Sequence, residues 1–260
     1  MGLPVRHAYG PAPEQWGEFA VPTVDGGDAE LPPVVVNLHG GFWHADYDLA
    51  HARPFCAGLR RAGWATLNLE YRRVGNPGGG WPGTFDDVVA GLELVRRLAD
   101  DGEVDTDRVV VTGHSAGGHL ALWLAGATTV ALRGVVAAAS VTDLVASHRE
   151  ELSDRGTATQ DLLGGLPDTF PERYRDASPV SHVPLPMPVV LVHGELDTSV
   201  PLSHSRDYVA AARAVGGRAR LVEVAGDDHF AVLDPASASF AAVEAAVGAL
   251  LGRDDPPKGP

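Results

Sequence analysis

The sequence predicts an α/β protein built on one mostly parallel central sheet with helices on both faces. Short, continuous apolar runs rich in valine recur along the chain, as in Val109-Val110-Val111 and Val189-Val190-Leu191-Val192. Such strands lack polar alternation because both of their faces are buried. Stretches of helical period separate them, as parallel neighbours require for their crossovers. The 31 glycines and 20 prolines are spread between the apolar runs rather than clustered, so they read as turn punctuation.

The elements follow in order. Residues 16–24 form an early edge strand or hairpin. After Pro33, the run Val34-Val35-Val36-Asn37-Leu38 is a buried strand, about 50–62 a helix, and 64–69 a strand. Pro82 and Thr84 suit a helix entrance, so a helix runs over about 85–98. A strand at 108–112, a helix from Ser115 and a strand at 134–139 continue the alternation. It resumes with a strand at 189–192, a helix at about 203–215, a strand at 220–224 and a helix at about 236–251. Between them, 141–185 is polar, carries Pro167, Pro171, Pro179 and Pro184, and is long for a loop. It is expected to be an insertion with some helix of its own, set as a lid or cap on a single domain of 1–260, with a frayed tail at 252–260.

A formal charge of −14 argues against nucleic acid or an anionic membrane surface as partner. The single cysteine, Cys56, excludes an intramolecular disulfide. The first residues lack an apolar signal core, and no run of ~18 apolar residues is present. These features lead us to expect a soluble, cytoplasmic protein.

The chemistry centres on Gly113-His114-Ser115-Ala116-Gly117, a G-x-S-x-G motif lying where a buried strand turns into a helix. That turn projects a serine hydroxyl over the sheet edge, and the helix start favours a developing oxyanion. A serine needs a base, and the base an orienting carboxylate. Asp197 follows the strand 189–192 and His229 follows the strand 220–224, so each falls where the order serine, acid, histidine requires; Glu195 is a rival acid. An oxyanion hole needs a second backbone N–H from the turn after an early strand. His39-Gly40-Gly41-Phe42-Trp43 supplies that turn, so Gly41 and Phe42 are the candidate donors beside Ala116.

These motifs resemble the α/β-hydrolase superfamily over about 17–251, and within it the HGG-bearing esterases related to hormone-sensitive lipase. "HGGFW", "GHSAGGHLAL" and "DHF" are also similar to arylformamidases of the kynurenine formamidase group. The resemblance implies Ser115 as nucleophile, Asp197 as acid, His229 as base, and Gly41, Phe42 and Ala116 as oxyanion donors. Many HGG lipases have a third glycine where this chain has Phe42, a side chain that narrows the acyl side.

Other features carry less. Gly78 to Gly83 fits G-x-G-x-x-G but stands beyond its strand and contains Pro82, so it reads as a flexible loop near the site mouth. No H-E-x-x-H and no Cys/His cluster is present, so neither a metal nor another cofactor is implied. His39, His114 and His193 read as hydrogen-bonded supports of their turns, and His119 as packing under the elbow. Arg72 and Asp87 are candidates for a structural ion pair. Trp43, Trp81 and Phe230 are candidates for the substrate pocket, with core packing as the alternative. The expected activity is hydrolysis of small carboxylic esters through an acyl-enzyme, with arylformamidase as runner-up and a non-catalytic small-molecule binding module as the competing class.

Overall fold

The computed structural model describes residues 3–22 and 31–252. Positions 23–24 of the first expected strand and 253–260 of the expected tail lie outside the described residues. Among the described residues, eight strands form one sheet in the order β1-β2-β4-β3-β5-β6-β7-β8. They are β1 (Val5–Ala8), β2 (Trp16–Ala20), β3 (Pro33–Leu38), β4 (Ala65–Leu69), β5 (Asp105–His114), β6 (Gly134–Ala138), β7 (Val189–Gly194) and β8 (Ala219–Val224). From β4 to β8 every pairing is parallel; β2 runs antiparallel to both β4 and β1. The segment after residue 16 is therefore a hairpin strand inside the sheet, and β1 takes the edge.

The valine runs give the sheet two dry faces because successive side chains alternate. Val34, Val36, Val109, Val111, Val135 and Leu191 join the core under α2 (Gly83–Leu92), α3 (Leu94–Asp100), α4 (Ala116–Ala127) and α8 (Ser203–Ala214). Val35, Val110, Val136, Val190 and Val192 face the other way, onto α1 (Arg53–Arg61) and α9 (Ala238–Leu250). There Phe55 of α1 meets Phe240 of α9 edge to face, with ring centroids 5.6 Å apart. The helix expected over 85–98 is two, α2 and α3, divided at Glu93.

Segment 141–185 carries α5 (Leu144–Arg149), α6 (Ala158–Leu163) and α7 (Pro171–Ala177). Leu144, Leu162, Leu163, Tyr174 and Ala177 are buried in the core shared with α4. Two indole and imidazole bonds fasten α7 to α4: Trp123 Nε1 donates to the Asp176 carbonyl at 2.9 Å, and His119 Nε2 to that of Ala177 at 2.9 Å. The glycine-rich stretch at 78–83 packs under this segment, with Trp81 N–H donating to the Leu162 carbonyl at 2.7 Å. A side chain at Gly79 would overlap the Arg73 backbone, so the stretch is a packed corner rather than a loop at the site mouth. The ion pair expected of Arg72 and Asp87 forms nearby, with two bonds of 2.6 and 2.8 Å to a buried carboxylate.

Candidate active site

The elbow between β5 and α4 sets Ser115 at φ 57°, ψ −122°, in a region that L-residues rarely occupy. Neighbouring elements over-determine it. Ser115 N–H donates to the Ala138 carbonyl at 2.9 Å, and the Ser115 carbonyl accepts from His119 N–H at 3.0 Å. The flanking glycines are required by contact: a Cβ on Gly113 would overlap the Gly117 carbonyl, and one on Gly117 the Leu38 carbonyl. The chain thus turns within van der Waals reach of β3 while the serine side chain is left at the top.

Asp197 lies in the loop after β7 with its side chain fully buried. Its Oδ1 accepts the N–H groups of Ser199 and Val200, both at 2.8 Å. Its Oδ2 accepts from His229 Nδ1 at 2.7 Å and lies 3.1 Å from His193 Nε2. Burial works against the charge, yet the contacts from His193, His229 and the Val200 N–H outweigh it and hold the carboxyl well below the usual carboxylate range. Glu195 is exposed and makes no such contact with His229. The loops of Asp197 and His229 are also joined through backbone, since Leu196 N–H donates to the Asp227 carbonyl at 2.9 Å.

His114 completes the support. Its Nε2 donates to the His229 carbonyl at 2.8 Å, and the two rings lie 4.6 Å apart. Burial, with the neighbouring His229 charge adding to it, pushes His114 down to about 3, so it is a neutral brace. His193 is fixed likewise, by Ser205 Oγ at 2.8 Å and the Val200 carbonyl at 3.0 Å.

The turn after β3 has three consecutive residues with positive φ: Gly41 at 116°, Phe42 at 50° and Trp43 at 60°. The two non-glycine residues each cost about 1–3 kcal/mol there, so the surroundings must hold them. Trp43 is 1% exposed, donates Nε1 to His119 Nδ1 at 3.2 Å, and its carbonyl accepts from Val74 N–H at 2.8 Å. None of the hydrogen bonds among the described residues uses the N–H of Gly41, Phe42 or Ala116 as donor.

Ser115 and His229 line one cavity of about 180 Å³ together with Gly41, Phe42, Tyr47, His51, His114, Phe230 and Leu233. Of the three aromatic residues expected there, only Phe230 is in the wall. Trp43 is core, and half-buried Trp81 packs on Phe85 at 4.9 Å. Trp43 meets His119 of α4 edge-on and Trp81 meets Phe85 of α2, so both tryptophans pack inward. Tyr47, His51 and Leu233 were not anticipated, because they reach the cavity from a loop and from two short 3-10 helices whose course the motifs do not fix. A second recess, about 140 Å³, adjoins it, lined by Phe42, His44, Asp46, Tyr47 and residues Ser153, Asp154 and Arg155 of the 141–185 segment.

A strand order of 1-2-4-3-5-6-7-8 with the elbow after β5 defines the α/β-hydrolase fold. Solved structures agree: a truncated carbohydrate esterase from gut microbiota superposes with a TM-score of 0.81 at 20% identity, over 96% of both chains. Esterase B from Lactobacillus rhamnosis does so at 0.80 and 20%, over 96% of this chain and 86% of that one. The BD-FAE family model matches residues 23–211, and the chain belongs to that family. Esterase LipC of Mycobacterium tuberculosis is 30% identical over 253 residues, which cover 89% of this chain and 60% of LipC. The probable carboxylic ester hydrolase LipM of the same organism is 28% identical, over 70% of this chain and 45% of its own. The chain thus spans between 45% and 60% of the length of these two relatives.

Proposed function

We propose that this protein is a serine carboxylesterase acting on small esters through an acyl-enzyme. Ser115 attacks the ester carbonyl, His229 takes the hydroxyl proton and returns it to the leaving alcohol, and Asp197 holds His229 with Nδ1 protonated. The N–H groups of Ala116 and of Gly41 or Phe42 receive the oxyanion, and water then releases the acid. The observation that carries this reading is the 2.7 Å bond from His229 Nδ1 to buried Asp197, which orients the ring in a cavity that Ser115 also lines. The esterase names of the Mycobacterium relatives support the ester class. Ser115→Ala is expected to abolish turnover of p-nitrophenyl butyrate and labelling by a fluorophosphonate probe. Full labelling of that variant excludes Ser115 as nucleophile.

The cavity is smaller than the ~300–1,000 Å³ of sites for drug-sized ligands, and Phe42 and Leu233 bound it. Acetate and butyrate esters are therefore expected to outrun a dodecanoate; the reverse order of kcat/KM contradicts this assignment of the acyl side. In this reading the 141–185 segment acts as a cap only at its edge, where residues 153–155 bound the recess beside Phe42. A cytoplasmic location belongs to the same proposal, supported by Cys56, buried and unpaired.

One observation favours arylformamidase activity as a second reading. Tyr47 and Phe230, 45% and 63% exposed, flank the cavity mouth and offer faces to an aryl leaving group. Formamides pass through the same oxyanion as esters, so one site serves both. A kcat/KM for N-formylkynurenine ~100-fold above that of the best short ester, about 2.7 kcal/mol of transition-state preference, selects this second reading.

A further inference from the structure

We infer that Glu70, a residue outside every motif of the site, is a positioning residue for the oxyanion turn and acts through a doubly protonated His39. The inference rests on the esterase reading above. Glu70 is 3% exposed and stands one residue beyond β4, where Leu69 pairs with Leu38 of β3. Its carboxyl meets two backbone N–H groups, a guanidinium and a histidine ring nitrogen. Leu49 N–H donates to Oε2 at 3.0 Å and Tyr71 N–H to Oε1 at 3.0 Å; Arg73 Nη2 lies 3.2 Å from Oε1 and His39 Nε2 3.0 Å from it. The two N–H groups and the guanidinium can only donate, and the cation beside it favours the charged form, so Glu70 is a carboxylate. Burial opposes that charge, and the His39, Arg73 and Leu49 contacts overcome it, leaving its pKa lowered.

His39 then follows by hydrogen-bond accounting. Its Nδ1 faces the Gly40 carbonyl at 2.8 Å and its Nε2 faces the Glu70 carboxylate. Both oxygens only accept, so both ring nitrogens donate and the ring is an imidazolium. Tyr71 stacks on it at 4.4 Å and donates its hydroxyl to the His39 carbonyl at 2.6 Å. The two carbonyls that precede Gly41 are thereby fixed, and so is the direction in which the strained turn 41–43 leaves β3. The clamp also sets how closely the turn approaches the nucleophile: a Cβ on Gly40 would lie 3.0 Å from the His114 carbonyl and 3.2 Å from Ser115 Cβ. The charge stands just behind the cavity wall, with the His39 ring 5.6 Å from that of His51, a wall residue. A fixed cation there favours negative charge developing on the substrate oxygen.

Glu70→Gln keeps the size and removes the charge. Its readouts are kcat and KM on p-nitrophenyl butyrate and the Ki of an alkyl trifluoromethyl ketone, whose serine adduct carries an oxyanion. We expect kcat/KM to fall about 10-fold or more, through kcat, with Ki rising by the same factor and KM nearly constant. His39→Gln, which keeps a donor and loses the charge, is expected to do the same and serves if Glu70→Gln does not fold. A purely structural role would lower Tm without parting Ki from KM. Folded variants with wild-type kcat/KM and Ki, or with losses in KM alone, overturn the inference. Ser115→Ala run alongside separates the two failures: residual turnover there removes the esterase reading itself, whereas an inactive Ser115→Ala beside a fully active Glu70→Gln removes only the role of Glu70.

Discussion

The loops that follow β7 and β3 carry the proposed acid and the proposed oxyanion donors of Ser115, and they are held in place by different means. The acid loop is relaxed: Asp197 caps its own turn, receives two backbone N–H groups, and faces histidines that lie within hydrogen-bonding distance. The turn after β3 has positive φ at three residues in a row, is strained at the two that are not glycine, and is held from behind by a buried ion pair. The difference follows from what each loop presents. A carboxylate brings its own charge, and local donors suffice to aim it. Backbone N–H groups carry only partial charge, so both their direction and the field behind them must come from residues that never touch substrate.

Breaking the relaxed loop at its centre should have the largest effect. Asp197→Asn keeps the shape and favours the wrong His229 tautomer, so kcat on p-nitrophenyl butyrate is expected to fall roughly 10³–10⁴-fold with KM little changed. The Glu70→Gln loss should be much smaller, because its turn keeps its backbone contacts. Equal losses at the two positions would erase the distinction between direct and remote support.

Stability against pH tests the neutral brace behind His229. The folded pKa of His114 is pushed down from 6.5 to about 3, and that of His119 to about 4, by burial first in both cases. Below the unfolded value the denatured chain takes up protons that the folded one refuses. The stabilisation is complete above about pH 6.5 and is lost as pH falls, at up to about 1.4 kcal/mol per pH unit for each histidine. Asp197 and Glu70, with lowered pKa values, add their loss only at pH values below about 4–5. Urea midpoints from pH 6.5 to 4.5 should therefore drop steeply in the wild type and less steeply in His114→Gln. Parallel slopes contradict the neutral assignment.

The acyl wall offers a change of specificity in place of a loss. Phe42→Ala leaves the N–H groups and opens the cavity, so the hexanoate to acetate ratio of kcat/KM is expected to rise about 10-fold. A ratio that does not move would mean that Phe42 bounds only the neighbouring recess.

How much of this was legible in sequence follows the same division. Ser115, Asp197 and His229 could be proposed as a triad because each lies just beyond a strand, in the order serine, acid, histidine, and the structure brings Asp197 and His229 into contact. The sheet from β3 to β7 was legible because buried apolar runs leave little choice. Glu70 and His39 form a pair only after β3 and β4 are known to be neighbours in register, a long-range fact with no local pattern. The short strand β1 has a largely exposed face and little apolar signal, so it was missed. Trp43 and Trp81 show the limit of proximity in sequence: a tryptophan beside a site loop buries its area wherever a core is near, and here α4 and Phe85 are nearer than the cavity.

Phe230 is where the smallest effect is expected and where it can decide most about the leaving group. The residue adjoins His229, its ring edge-on to the imidazole at 5.0 Å, and its N–H is already capped by Asp228 at 3.0 Å. Being 63% exposed, it contributes little to folding, so Phe230→Ala should change stability by no more than about 0.5 kcal/mol. An aromatic ring stacked on it is worth ~0.5–1.5 kcal/mol, so KM for phenyl acetate and N-formylkynurenine should rise ~2- to 10-fold. KM for ethyl acetate should not move, since its leaving group has no face to stack. An equal rise for aryl and alkyl esters would show Phe230 acting only as a cover over His229, and would withdraw its support from the formamidase reading.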